Sequence, residues 1–203
     1  METSWPKLAG GAAALDFANT ALVPEVGVVD ELGHFLAWSR HAGVPLGAAD
    51  GTTADGRSTG GGGGALLARA ATVRSALLEV ATAHADGEPP SPAHLAVLAD
   101  AYRWALEQAE PELDQESRWT WSWQGRPMEV EALARLAVEA VDVLSRPLDR
   151  LKACGSCRFV FLDTSKNNSR RWCSMDDCGT KEKMRRYVEK RAAANRRSRQ
   201  GRG

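Results

Sequence analysis

The chain has 203 residues, with 26 Lys and Arg against 26 Asp and Glu and 43% hydrophobic residues, enough for one medium domain with a real core and a small second one. It has no run of about 18 apolar residues that could cross a bilayer, and its start, METSWPKLAGGAAALDFANT, lacks the basic beginning and continuous apolar stretch of a secretory leader, so no membrane partner and a cytoplasmic location are expected. The zero net charge conceals a split: residues 1–149 carry 10 basic and 21 acidic side chains, residues 150–203 carry 16 and 5, which points the C-terminal segment toward nucleic acid or another polyanion.

In chain order, Val29, Leu32, Phe35 and Leu36 recur at helical spacing and predict a helix over 29–41, ended by Gly43 and Pro45. A flexible Gly-rich loop follows over about 47–64; it lacks the Gly-Lys-Ser/Thr ending of a phosphate-cradling loop and reads as a spacer. A helix is expected over 65–85, with Leu66, Ala70, Val73, Leu77 and Val80 along one face. Ser91 and Pro92 open the next as N-cap and first residue, and Leu95, Leu98, Tyr102, Ala105 and Leu106 form its apolar stripe before Pro111.

Trp119, Trp121 and Trp123 alternate with Thr120 and Ser122, the pattern of a strand pressing indoles into a core; acids flank it, which disfavours a base-stacking platform. A last long helix is expected from Pro127 to about Ser145, with Val130, Leu133, Ala137, Val141 and Leu144 inward, and Pro147 closes it. The four histidines are scattered and no catalytic constellation assembles, so the chain is not expected to be an enzyme.

All four cysteines fall within 25 residues: Cys154-x2-Cys157, fifteen residues, then Cys173-x4-Cys178. In a reducing compartment clustered cysteines favour a metal over disulfides. A Cys-x2-Cys pair turns two thiolates toward one ion, and a second pair completes the closed tetrahedral shell of one structural Zn2+, leaving no open position for catalysis. The spacing favours zinc over an iron–sulfur cluster or a redox pair, and a zinc deaminase would need a His-x-Glu or Cys-x-Glu motif that is absent.

Between the ligands, Phe159 to Leu162 reads as a strand, DTSKNNS as a turn, and Arg170-Arg171-Trp172 as a returning strand; Cys178 opens a helix. Knuckle, hairpin and a helix carrying the last ligand form the order of a treble clef. In that helix Met184, Tyr187 and Val188 share a face expected to pack on the hairpin, while Lys183, Arg186 and Lys190 share another, with Lys181 near the first turn. Joined to a zinc finger in so basic a segment, these side chains, with Arg170 and Arg171, read as a phosphate-tracking surface for DNA. RNA binding or a protein-interaction module is the alternative use of the same surface.

At these residues the sequence resembles a known family. CGSCRFVFLDTSKNNSRRWCSMDDCGTKEKMRRY is similar to the CGNR zinc finger, and ALDFANTALVPEVGVVDELGHFLAW, residues 14–38, to the start of the ABATE domain that precedes it in bacterial proteins. The resemblance implies a stress-linked transcription regulator that binds DNA through its finger, with Cys154, Cys157, Cys173 and Cys178 as ligands. The naming motif differs here: Cys178-Gly179-Thr180-Lys181 stands for Cys-Gly-Asn-Arg, and Lys181 keeps the charge without the planar fork of arginine.

The chain is thus expected to be mainly α with a little β: a helical ABATE-like domain over 1–146, a treble-clef-like zinc finger over 147–195 and a basic disordered tail over 196–203. Asp16, Asn19 and Thr20 offer a mixed polar set suited to a ligand pocket or to local capping. A small-molecule effector and a homodimer are the further partners expected of the N-terminal part.

Overall fold

A computed structural model describes residues 5–47 and 63–200. Helices α1 (Ala13–Asn19), α2 (Leu32–His41), α3 (Gly63–Ala85) and α4 (Pro92–Glu107) are followed by a two-stranded ribbon, β1 (Glu110–Leu113) with β2 (Trp119–Ser122). Then come α5 (Met128–Leu144), the short hairpin β3 (Leu151–Ala153) with β4 (Val160–Leu162), and the long α6 (Thr180–Gln200). Both strand pairs are antiparallel, with Leu113 opposite Trp119 in the first and Ala153 opposite Val160 in the second. No helix among the described residues is long and apolar enough to cross a membrane.

Two apolar clusters organise the helical part. One joins α1, α3, α4 and α5 through Leu15, Ala18, Val73, Leu77, Leu98, Ala101, Ala137 and Val143. The other gathers Phe17, Phe35, Trp38, Val44, Leu133 and Leu136, with Phe17 set between Phe35 at 5.8 Å and Trp38 at 5.3 Å. Many contact positions on α3, α4 and α5 are alanine, which lets the helix axes approach closely.

The helix expected over 29–41 starts later, at Leu32, and those at 65–85, 92–107 and 128–144 stand close to where periodicity sets them. The buried face of α5 is wider than the expected one and centred beside it: Leu133 and Ala137 are buried as expected, joined by Ala132, Ala134, Leu136, Ala140 and Val143, while Val130, Val141 and Leu144 are half-buried. The three tryptophans also differ. Trp123 is buried, with its indole N–H on the Ala105 carbonyl at 2.9 Å, Trp121 is half-buried, and Trp119 points to solvent, because β1–β2 is an isolated ribbon that projects from the core. The Gly-rich loop lies almost wholly outside the described residues. So do residues 201–203; of the expected disordered tail, residues 196–200 instead continue α6.

The β3–β4 hairpin is not a bead on a linker. Leu151 and Val160 belong to the same apolar cluster as α3 and α5. The Asn19 amide, at the end of α1, pairs with both backbone groups of Val160: its Nδ2 donates to the Val160 carbonyl at 2.9 Å, and its Oδ1 accepts the Val160 N–H at 2.7 Å. Nearby, the Leu162 N–H donates to the Gly10 carbonyl at 2.9 Å. The N-terminal segment and α1 therefore act as a third edge to the hairpin.

Candidate metal centre

The hairpin sets the first two cysteines. β3 leads into Cys154, the chain turns over Cys154–Arg158, and β4 returns, with the Arg158 N–H donating to the Cys154 carbonyl and the Cys154 N–H to the Phe159 carbonyl. Arg158 takes a positive φ of 67° at the turn. Gly155 is required by close approach: a Cβ there would sit 2.9 Å from the Trp172 ring. Cys173 comes from the returning loop. Cys178 comes from the wide turn Met175–Gly179 that runs straight into α6.

Ser174 caps that turn, its Oγ accepting the Asp177 N–H, and Lys7 holds it from outside with Nζ 3.1 Å from Ser174 Oγ and 2.8 Å from Asp177 Oδ2. Thr180 uses its hydroxyl on the Met175 carbonyl. The position that holds Asn in the motif the sequence resembles is thus filled by a residue that ties the first turn of the helix back to Met175.

The four Sγ atoms all lie within 4.8 Å of one another, with Cys157 and Cys173 3.5 Å apart and Cys173 and Cys178 3.8 Å apart. A tetrahedron of Zn–S bonds of about 2.3 Å has edges of about 3.8 Å, so the donor set fits this ion, while the separations are far beyond a disulfide bond. The electrostatics agree. Burial pushes all three perturbed thiols up; at Cys154 the amides of Cys157, Cys173 and Ser156 outweigh it and bring the thiol down to about 7, whereas Cys157 rises to about 11 and Cys173 higher still, beside the other sulfurs. Four thiolates coexist here only around a dication. These cysteines form a zinc-binding site, wrapped by Phe159, Phe161, Trp172 and Ala9.

The finger closes differently from the expected hairpin. Residues 170–172 are not a strand, because their backbone is engaged elsewhere: the Arg170 N–H donates to Asp163 Oδ2 at 2.8 Å, and the Arg171 carbonyl accepts from the Gly155 N–H. Asp163 organises this loop. Buried at 1% exposure, it also accepts the Ser165 N–H at 2.8 Å and pairs with Lys152 Nζ at 2.7 Å. Burial alone would raise its carboxyl, but the Lys152 ammonium, the Ser165 donors and the Arg170 amide hold it well below the usual carboxylate range. Asp163 and Lys152 are structural residues that charge counting overlooked; an acid directly after an apolar strand was the available signal.

The basic side chains divide. Arg170 turns inward: its guanidinium lies 4.8 Å over the Phe161 ring and donates to the Cys173 carbonyl at 2.7 Å. Arg171, Lys181, Lys183, Arg186 and Lys190 are exposed, Arg186 with its Nε on Glu182. The stripe expected to pack on the hairpin does not: Met184, Tyr187 and Val188 are exposed. Between the finger and the end of α3 lies a cleft of about 580 Å3 whose rim includes His84, Lys152, Arg171, Trp172 and Arg186.

Asp16, Asn19 and Thr20 are buried on one helix end, and their polar atoms meet the chain itself. Asp16 Oδ1 accepts the Ala9 and Gly10 N–H groups at 2.7 Å each, while burial still pushes its carboxyl up. Asn19 holds Val160, and Thr20 Oγ1 donates to the Phe17 carbonyl at 2.6 Å.

Comparison with known families gives two matches that abut at the start of this hairpin. The model of the CGNR zinc finger matches residues 150–191. The ABATE model, described as "Putative stress-induced transcription regulator", matches residues 11–147, more than half of the chain. No curated protein matches.

Proposed function

Because the chain belongs to the ABATE family and carries a CGNR zinc finger, we propose that it is a zinc-dependent DNA-binding regulator of transcription, acting in the cytoplasm and carrying out no reaction of its own. The ion holds the knuckle, and the knuckle presents α6 to the phosphate backbone. Lys181, Lys183, Arg186 and Lys190 supply phosphate contacts along the helix, and Arg171 extends them toward the cleft beside α3. Arg170 keeps the finger in shape. The helical part would sense an effector or pair two copies.

The observation that carries this reading is the position of α6. It starts two residues after the last zinc ligand and leaves its cationic side chains in solvent. A helix whose burial does nothing for the core, at a charge of six basic to two acidic residues over 181–191, is suited to a polyanion.

The test is a gel-shift titration of the zinc-loaded chain on duplex DNA, with structured RNA and heparin as competitors. Affinity is expected to fall steeply as salt rises, to vanish on chelation, and to prefer some duplex over both competitors. Equal displacement by all three polyanions, or binding that ignores salt, would overturn the reading.

A further inference from the structure

Among the described residues, six large apolar side chains are more than half exposed, and they fall on two parts of the molecule only. Leu113 and Trp119 are cross-strand partners on the β1–β2 ribbon. Trp119 is not loose: Trp121 meets it edge-on at 5.7 Å. The other four are Met175, on the turn into α6, and Met184, Tyr187 and Val188 on the helix, where i, i+3 and i+4 spacing aligns the last three in one stripe. Arg191 extends the stripe by standing 5.6 Å over the Tyr187 ring. Neither patch covers the other within the chain, since both remain exposed.

The surrounds of the two patches are opposite in sign. Residues 110–119 carry four carboxylates and one arginine, whereas residues 181–191 carry six basic and two acidic side chains. Ribbon against ribbon would unite carboxylates around two tryptophans, and helix against helix would unite cations. Ribbon against helix matches both the apolar centres and the charged rims, with Trp and Tyr, the side chains that most often dominate interfaces, at the middle.

We infer that the β1–β2 ribbon of one copy docks on the α6 stripe of a second copy of this chain. Every copy carries both halves, so two such contacts related by a two-fold axis close a dimer. The docked ribbon lies over the helix face bordered by Lys181 and Arg185 on one side and by Lys183 on the other. In the one clause that rests on the proposed DNA reading, dimerisation and DNA binding then exclude each other, and the dimer is the resting form.

Sedimentation of the full zinc-loaded chain without DNA tests the pairing independently of any DNA reading. The wild-type chain is expected to show a monomer–dimer equilibrium that weakens about tenfold as salt rises from low to physiological values and beyond. A ribbon variant, Leu113→Ser with Trp119→Ser, and a helix variant, Tyr187→Ser with Val188→Ser, are each expected to be monomeric with full zinc content, since all four positions are exposed. An equimolar mixture of the two is expected to regain a dimer through its one intact ribbon and one intact helix. A wild-type chain that stays monomeric at every concentration, a dimer that survives either variant, or a mixture that stays monomeric would each overturn the inference.

Discussion

The β3–β4 hairpin and helix α6 belong to the same zinc-pinned unit, yet they stand in opposite relations to the rest of the chain. The hairpin is inside: Val160 and Leu151 are core residues, and the Asn19 amide pairs with Val160 as a neighbouring strand would. Helix α6 is outside, with exposed residues along nearly its whole described surface. The contrast teaches that one ion serves two purposes. It completes the fold of the hairpin side and fixes the direction of a helix that the fold does not otherwise need.

Removing the ion should disturb both elements most severely. Cys173→Ser is expected to remove on the order of 10 kcal/mol of metal-linked folding energy. Because the hairpin is part of the core, calorimetry should show one transition for the whole chain, lowered by more than about 10 °C. Two transitions, with the helical part melting unchanged, would mean that the finger is a separate bead after all.

A smaller break comes at the seam. Asn19→Ala strands the Val160 N–H and carbonyl in an apolar site and is expected to cost about 2–4 kcal/mol in denaturant unfolding. Zinc content and DNA affinity of the folded fraction should stay as in the wild type.

The loop side of the knuckle gives a third, pH-resolved effect. Asp163 has its carboxyl held below the unfolded value of about 3.9. Its contribution is therefore complete above that pH and is lost as the pH falls toward the lower folded value. Asp163→Asn is expected to be about 3 kcal/mol less stable than the wild type at neutral pH, leaving the half-buried Lys152 ammonium without its counter-ion and held only by the Asn168 and Arg170 carbonyls. In urea melts the gap should begin to narrow as the pH falls through about 4 and close only well below it. A gap independent of pH would remove the ion pair from the account.

The smallest effects on stability belong to α6. Lys183→Gln, Arg186→Gln and Lys190→Gln should each change stability by less than about 0.5 kcal/mol, while each lowers the salt slope of DNA binding by about 1. An equal loss of stability and affinity would show that these side chains support the fold rather than the ligand.

Much of this contrast was legible in the chain. The cysteine spacing foretells the metal because each pair, Cys154-x2-Cys157 and Cys173-x4-Cys178, sets two thiolates on one short turn, the spacing typical of structural zinc. The helix at 92–107 and the start of α6 follow from local signals, Ser91-Pro92 and the basic run after Cys178. What could not be read depends on distance. Asn19 looks like a pocket or capping residue until Val160, 141 positions away, arrives beside it. Arg170 counts as a phosphate ligand by charge, yet the Phe161 ring and the Cys173 carbonyl draw it inward. Met184, Tyr187 and Val188 form an apolar face that periodicity reports correctly, but periodicity does not say what covers it. β1 was hidden because Pro111 reads as a stop, although an isolated two-stranded ribbon tolerates proline.

The central claim is that zinc, by completing the knuckle, turns α6 into a DNA-binding element. Its most direct test is a zinc titration of the metal-stripped full chain, read by the fluorescence anisotropy of a labelled duplex. The account predicts that binding rises with added metal and levels off at about one ion per chain. Full binding before any zinc is added, or none after the site is filled, would contradict it.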